Sequence, residues 1–426
     1  MHSFRYRQGL LHCERASLEE LASNYGTPLY VYSSQTILEH YRKLDLALAD
    51  LDHEICFALK ANSNISVLQL LAKEGSGFDI VSGGELYRVI RAGGDPRKCT
   101  FAGAGKTADE IAYALSVDVL SFNVESEQEL IAINEIAGRL GKIAPVALRV
   151  NPDVAVETHK YISTGKAENK FGIGFERIPE VYRNAARLRN LRLCGIQTHI
   201  GSQITEVSPF AEVITKLLPL VASLQKDYGI EFFSIGGGIG IAYHDALQSG
   251  DQGWWKNHEP TFTIQEYADA ILPILRGIPV RVLIEPGRYL VGNAGVLLTR
   301  VLYIKESPTK TFVIVDSGMN DLIRPALYQG YHEIVPVRES ASEKKFTVDV
   351  VGPVCESGDF FAQGRELPAI RAGEVLALMS AGAYGFTMAS NYNSRLLPAE
   401  ILVTGADAQI VRRRQTYDDL ISLEMG

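Results

Sequence analysis

The strongest constraint in this 426-residue chain is an alternation that runs from about residue 36 to residue 288. Short apolar runs take turns with segments of helical spacing. The apolar runs are "ICFAL" (55–59), "FDIV" (78–81), "CTFAG" (99–103), "VLSFNV" (119–124), "VALRV" (146–150), "GIQTHI" (195–200), "FFSI" (232–235) and "VRVLIE" (280–285). Each has strand length, and the intervening segments repeat apolar residues with helical period. In "SEQELIAINEIAGRL", Ser126 and Glu129 have the spacing of a capping box. Repeated strand–helix units imply parallel strands, because the crossover returns each new strand in the same direction. Eight such units in roughly 250 residues predict a closed (β/α)8 barrel of the TIM type. An open, doubly wound sheet has the same spacing and remains the alternative.

After Arg288 the texture changes. "GVLLTRVLYIKE", "KTFVIVDSG", "KFTVDVVGP", "EVLALMS" and "AEILVTGADAQIVRRRQ" are strand-like, with few helices between them. They predict a separate β domain, sandwich-like or barrel-like. The N-terminal "FRYRQGLLHCE" also has strand character and is assigned to that domain. The expected division is therefore a barrel over 36–288 and a β domain from 1–35 and 289–426. A net charge of -8 suits a soluble protein and argues against a nucleic-acid surface. The five cysteines show no C-x-x-C spacing, so neither a zinc framework nor disulfides are expected, and no metal is assigned. The N-terminus lacks the long apolar stretch of a secretory signal, and no apolar run has membrane-spanning length. A cytoplasmic protein without a membrane partner is the expectation.

Barrel enzymes carry their chemistry at the C-terminal ends of the strands. The first strand here ends at Lys60, the sixth at His199, the seventh in the glycines Gly236, Gly237 and Gly238, and the eighth at Glu285. Each has an ordinary reading alone: a solvated lysine, a hydrogen-bonded core histidine, a tight turn, a strand end. Convergence on one rim weakens those readings together. The set matches the needs of pyridoxal phosphate (PLP): a lysine for its aldehyde, backbone N–H groups for its phosphate and a partner for its ring nitrogen. Lys60 can form the Schiff base. Glycines after the seventh strand let the backbone approach a phosphate. His199 can lie against the ring, and Glu285 can hold the ring nitrogen protonated. "AGAGKT" (102–107) is not a phosphate-binding P-loop, because Thr100 stands where that motif requires glycine.

With these residues in hand, the chain resembles the fold-type III PLP-dependent decarboxylases over nearly its whole length. The barrel motifs are "FALKANSN", "GFDIVSGGEL", "NVES", "KFGI", "HIGSQI", "GGGIG" and "IEPGRYLV". The β domain adds "VDSGMNDLIRPALY", "VGPVCESGDFFA" and "GAYGFTMASNYNSR". The resemblance implies the alanine racemase-like fold: α/β plus β, a PLP-binding barrel with a C-terminal β domain. It implies Lys60 as the Schiff-base lysine, His199 stacked on the ring and Ser202 near the cofactor. Gly236, Gly237 and Gly238, with Pro286, Gly287 and Arg288, are expected around the phosphate. Arg288, Arg324 and Tyr328 would grip the substrate's distal carboxylate, and Glu356 its distal amino group. Cys355 would donate the proton, and Tyr384 would touch cofactor and substrate. Cys355 and Glu356 would come from the second subunit of a head-to-tail homodimer. The implied reaction is decarboxylation of meso-2,6-diaminopimelate to L-lysine. A related decarboxylase for another amino acid, such as ornithine, is the nearest alternative, although two arginines favour a second carboxylate. A racemase is disfavoured by Glu285, and a non-catalytic PLP carrier by the β domain.

Overall fold

The computed structural model describes residues 2–154, 170–251, 253–256, 262–340 and 344–424. The chain divides into two compact units. One comprises Met1–Glu39, Ile241–His258 and Arg288–Gly426; the other comprises His40–Gly240 and Glu259–Gly287. The segment Ile241–His258, inside the stretch expected to be barrel, thus groups with the sheet unit.

The barrel strands are His53–Ala58, Gly77–Ile80, Cys99–Phe101, Ser121–Val124, Ala144–Asn151, Leu191–Thr198, Phe232–Ser234 and Arg281–Ile284. All neighbouring pairs are parallel, and the eighth strand pairs with the first, placing Leu283 opposite Glu54 and Ile284 opposite Ile55. The fourth and fifth also pair, with Phe122 opposite Val146. The sheet is therefore closed, and the open-sheet alternative is excluded. Strands such as Gly77–Ile80 and Ser121–Val124 are buried at every position, as expected where both faces are covered.

Five of the connecting helices begin at side-chain caps that accept otherwise unpaired backbone N–H groups: Asn64, Ser82, Thr107, Ser126 and Thr263. Thr107 and Thr263 form reciprocal capping boxes. The box expected at Ser126 is only half made. Ser126 accepts from Glu129 N at 3.2 Å, but Glu129 Oε2 accepts from Glu125 N at 2.7 Å. Its other oxygen, Oε1, takes the buried Lys106 Nζ at 2.6 Å. Lys106 also donates to the carbonyls of Gly103 and Asn123, which accounts for the lysine of "AGAGKT" as a structural tie.

In the sheet unit the long strand Gly295–Glu306 is the spine. Its first half pairs antiparallel with Leu29–Ser33 on one side and Val375–Leu378 on the other. Its second half pairs with Thr311–Val315. Lys345–Val351 and Phe360–Pro368 extend the sheet one way, and the hairpin Ala399–Thr404 with Asp407–Arg412 extends it the other. The N-terminal stretch forms the hairpin Phe4–Arg7 with Leu10–Cys13, and Leu11 and Cys13 pack with Leu29, Val31 and Val296. Strand Leu29–Ser33 was not anticipated from the sequence.

Small residues set the packing of one barrel cluster, in which Cys56, Ala147, Cys194 and Leu283 surround Phe232. A Cβ placed on Gly195 would lie 2.5 Å from the Phe232 ring. Gly195→Ala is therefore expected to destabilise the protein by about 1–3 kcal/mol through overpacking. Urea unfolding followed by far-ultraviolet circular dichroism measures this; an unchanged midpoint would contradict the packing described.

Candidate active site

The first barrel strand ends at Ala58, and one 3₁₀ turn, Leu59–Ala61, carries Lys60 clear of the sheet. Ala58 N donates to Pro286 O at 3.1 Å, which ties this turn to the end of the eighth strand. Gly287 fits closely there: a Cβ on it would lie 3.1 Å from Ala61 Cβ and 3.2 Å from Ala58 Cβ. Lys60 Nζ lies 3.2 Å from Asp79 Oδ2; the lysine side chain is 41% exposed and the aspartate 2%. The ammonium thus stays reachable while its partner is buried, where charge attraction is less screened. Asp79 Oδ1 is buried without a protein partner among the described residues.

Glu285 follows the eighth strand and is buried. Ser234 Oγ donates to its Oε1 at 2.7 Å, Gln197 Nε2 to its Oε2 at 2.9 Å, and Asn123 Nδ2 lies 3.5 Å from Oε1. Burial and the Asp79 charge push the Glu285 carboxyl above its ordinary range, against the hydrogen bonds of Ser234 and Gln197 and the charge of Lys60. Neutral donors hold this carboxylate, so a cationic N–H would lower it again.

His199 stands just beyond the sixth strand, Leu191–Thr198. Its Nδ1 accepts from Gly237 N at 3.2 Å. Desolvation, with the charges of Lys60 and Arg149, holds it well below the usual histidine range, so the ring is neutral. Ser202, half-buried, lies in the same loop. The glycine loop is pressed onto its neighbours: a Cβ on Gly236 would lie 2.3 Å from Thr198 O, and one on Gly237 2.1 Å from Glu285 O. Gly236 is also in the left-handed region, at φ 72°. The N–H groups of Gly236 and Gly237 go to Ser234 Oγ and His199 Nδ1, so these two glycines serve first to bring three loops together.

A buried ion pair joins two of the sequence motifs. Arg149 Nη1 donates to Glu125 Oε1 at 2.8 Å, and Gly172 N donates to Glu125 Oε2 at 2.8 Å. The Arg149 guanidinium also lies 4.8 Å from the Phe171 ring. "NVES" and "KFGI" therefore meet through Glu125 and Arg149.

The sheet unit holds the other expected residues. Arg288 and Arg324 are both buried. Arg288 Cζ lies 4.8 Å from the Tyr384 ring, and Tyr384 has a left-handed backbone, φ 55°, uncommon for a bulky residue. Half-buried Tyr328 closes the short helix Arg324–Tyr328 and lies within electrostatic reach of both arginines. Cys355 and Glu356 are exposed on the irregular segment after Lys345–Val351. Cys355 N donates to Asn393 Oδ1 at 3.0 Å, and Tyr392 Oη donates to Glu356 Oε1.

Asp79, Asn123, Gln197 and Ser234 were missed in the sequence. Each is a polar residue at one of the last two positions of a barrel strand: Gly77–Ile80, Ser121–Val124, Leu191–Thr198 and Phe232–Ser234. That position is the signal that could have found them, since a buried polar group near a barrel's C-terminal rim needs a partner there.

A reachable amine, a buried carboxylate suited to a cationic ring nitrogen and a close-fitting glycine loop together suit pyridoxal phosphate, and define a PLP-dependent enzyme on a barrel. The family described as pyridoxal-dependent decarboxylase, pyridoxal binding domain, matches residues 34–292. A diaminopimelate decarboxylase of Vibrio cholerae is 48% identical over 100% of this chain and 99% of its own. The crystal structure of diaminopimelate decarboxylase from Helicobacter pylori complexed with L-lysine superposes with a TM-score of 0.88, at 40% identity, over 95% of this chain and 98% of that one. The crystal structure of diaminopimelate decarboxylase from m. jannaschii in co-complex with L-lysine superposes with a TM-score of 0.90, at 37% identity, over 100% of this chain and 98% of that one. The chain belongs to the diaminopimelate decarboxylase family of pyridoxal-dependent decarboxylases. No described helix is long and apolar enough to cross a membrane.

The raised Glu285 gives a pH test on cofactor-stripped protein. The folded state binds this proton more tightly than the unfolded state. Its stabilisation is present below the ordinary value of 4.5 and is lost as pH rises through the folded value. Glu285→Gln should therefore gain stability relative to the parent on going from about pH 5 to about pH 8. Denaturant melts at both pH values check the sign; a parallel pH response in both proteins would contradict it.

Proposed function

We propose that the protein decarboxylates meso-2,6-diaminopimelate to L-lysine and carbon dioxide, with pyridoxal phosphate carried on Lys60. The observation that carries the reading is the presence on one barrel rim of a reachable lysine, Lys60, beside Asp79, and of a buried carboxylate, Glu285, held by neutral donors. When bound, pyridoxal phosphate supplies an electron sink for the pair released by the breaking C–COO⁻ bond. Lys60 offers its amine to the aldehyde, and Asp79 keeps that amine at the rim between uses. Glu285 holds a proton at the ring nitrogen. With the cofactor bound, His199, neutral, would lie against its ring, with Ser202 nearby. Gly238, Pro286, Gly287 and the Arg288 backbone would hold the phosphate, with Gly236 and Gly237 allowing the close packing of the loop.

Substrate selection falls to the sheet-unit residues. Arg288 and Arg324 take the distal carboxylate through their planar forks, with Tyr328 and Tyr384 alongside. Two guanidinium groups favour a substrate with a second carboxylate over ornithine. Glu356 attracts the distal ammonium, and Cys355 returns a proton to the carbon that lost carbon dioxide. We further propose a cytoplasmic homodimer in which one subunit supplies Cys355 and Glu356 to its partner's site. The exposure of both residues in the single chain supports this, and an exposed free thiol suits a reducing compartment.

Lys60→Ala should abolish covalent attachment of the cofactor. Borohydride reduction followed by peptide mass spectrometry should place the cofactor mass on the Lys60 peptide of the parent; its presence elsewhere would refute the assignment.

The shared site predicts complementation. Lys60→Ala and Cys355→Ala, each inactive, should recover activity when their subunits exchange. Random pairing makes about half the dimers hybrids, each with one intact site, so roughly a quarter of all sites recover. Native mass spectrometry of tagged chains confirms exchange. Hybrids without activity would place Lys60 and Cys355 in one chain's site.

A further inference from the structure

The two arginines proposed to hold the distal carboxylate are each engaged by residues that the sequence did not single out. Tyr243 Oη accepts from Arg288 Nη1 at 2.5 Å, and the Tyr243 ring lies 4.6 Å from Arg324 Cζ. His332 is completely buried, and both its ring nitrogens are engaged. Nδ1 lies 2.8 Å from the Met379 carbonyl oxygen, which can only accept, so Nδ1 carries the proton. Nε2 therefore presents a lone pair, and Arg324 Nη1 donates to it at 2.7 Å. Desolvation and the Arg324 charge lower His332 to about 3, which keeps this neutral tautomer in place. Tyr243 and His332 also meet edge to face, at 5.3 Å and 80°. The result is an unbroken path from Met379 O through His332, Arg324 and Tyr243 to Arg288.

A guanidinium has five donors in one plane. Fixing one edge of that plane fixes where the remaining donors point. Among the described residues no carboxylate pairs with Arg324, so donors remain for one. We infer that Tyr243 and His332 are positioning residues that orient Arg324 and Arg288 as a paired clamp for a terminal carboxylate, and so determine selection for substrates that carry one. This rests on the reading that these arginines hold the distal carboxylate. The clamp acts away from the breaking bond, so it binds ground state and transition state alike, and its loss should fall on KM more than on kcat.

The test compares two inhibitors of the holoenzyme. L-Lysine and cadaverine differ only by the carboxylate that the clamp would hold. The ratio of their inhibition constants, with KM and kcat for diaminopimelate, is measured in the parent, Tyr243→Phe, His332→Met, His332→Gln and Arg324→Gln. Loss of one hydrogen bond to a charged group should shrink the parent's preference for L-lysine by about tenfold or more in Tyr243→Phe and His332→Met. His332→Gln, whose amide oxygen can accept in place of Nε2, should restore most of it, which general damage to the fold would not allow. Arg324→Gln gauges the underlying reading. If it collapses the preference while Tyr243→Phe and His332→Met leave it intact, the positioning role is overturned and the carboxylate reading survives. If Arg324→Gln itself leaves the preference intact, the carboxylate reading fails and the positioning role falls with it. Should Tyr243→Phe not fold, the contrast between His332→Met and His332→Gln decides alone.

Discussion

The placement of Glu285 governs the barrel's working end. A carboxylate buried beside a second one, Asp79, is costly unless donors surround it. The barrel answers with three neutral groups from three different strands: Asn123, Gln197 and Ser234. These can converge only because parallel strands end on one rim, so residues 60, 79, 123, 197, 234 and 285 become neighbours. A cation on Lys60 balances part of the charge. The remaining excess of negative charge over cation is what makes this rim suited to a protonated ring nitrogen.

The loops above the rim obey a steric constraint rather than an electrostatic one. Gly236 and Gly237 are required by the carbonyls of Thr198 and Glu285, which leave no space for a Cβ. The same tight contact brings Gly237 N to His199, which fixes a neutral imidazole with Nδ1 as acceptor. One packing requirement thereby sets both the loop's path and which histidine nitrogen accepts, while burial keeps the ring uncharged. Further along the rim, the Glu125–Arg149 pair ties the fourth and fifth strand ends to Gly172, and its arginine helps keep His199 uncharged.

The sheet unit solves the converse problem, two buried cations. Arg288 and Arg324 disfavour each other's charge, and aromatic faces and neutral acceptors offset that cost. Burial pushes the Tyr243 hydroxyl up, but the two guanidinium groups outweigh it and hold that hydroxyl below its ordinary value. Tyr384 keeps an uncommon backbone conformation beside Arg288, a local strain that neighbouring structure must sustain.

The amino-acid sequence determined the order of strands and helices and the residue at each strand end, because apolar period and end position are local properties. Lys60, His199, the glycine loop and Glu285 were legible for that reason, and the resemblance supplied the arginines and Cys355. The capping arrangement at Ser126 was only half legible, since Glu129 was drawn to Lys106 and Glu125 N by contacts that spacing does not encode. Strand Leu29–Ser33 stayed hidden because its partners, Gly295–Glu306 and Ala399–Thr404, lie hundreds of residues away in the chain. Eight strand–helix units pointed to a closed barrel, but only the long-range pairing between the first and eighth strands excludes the open sheet, and spacing does not encode that pairing. Tertiary structure alone decided the polar partners of Glu285, the tautomer of His332 and the orientation of the arginines. Each of these depends on which donor meets which acceptor in a space without water, and only the folded chain brings those groups within a hydrogen bond of one another.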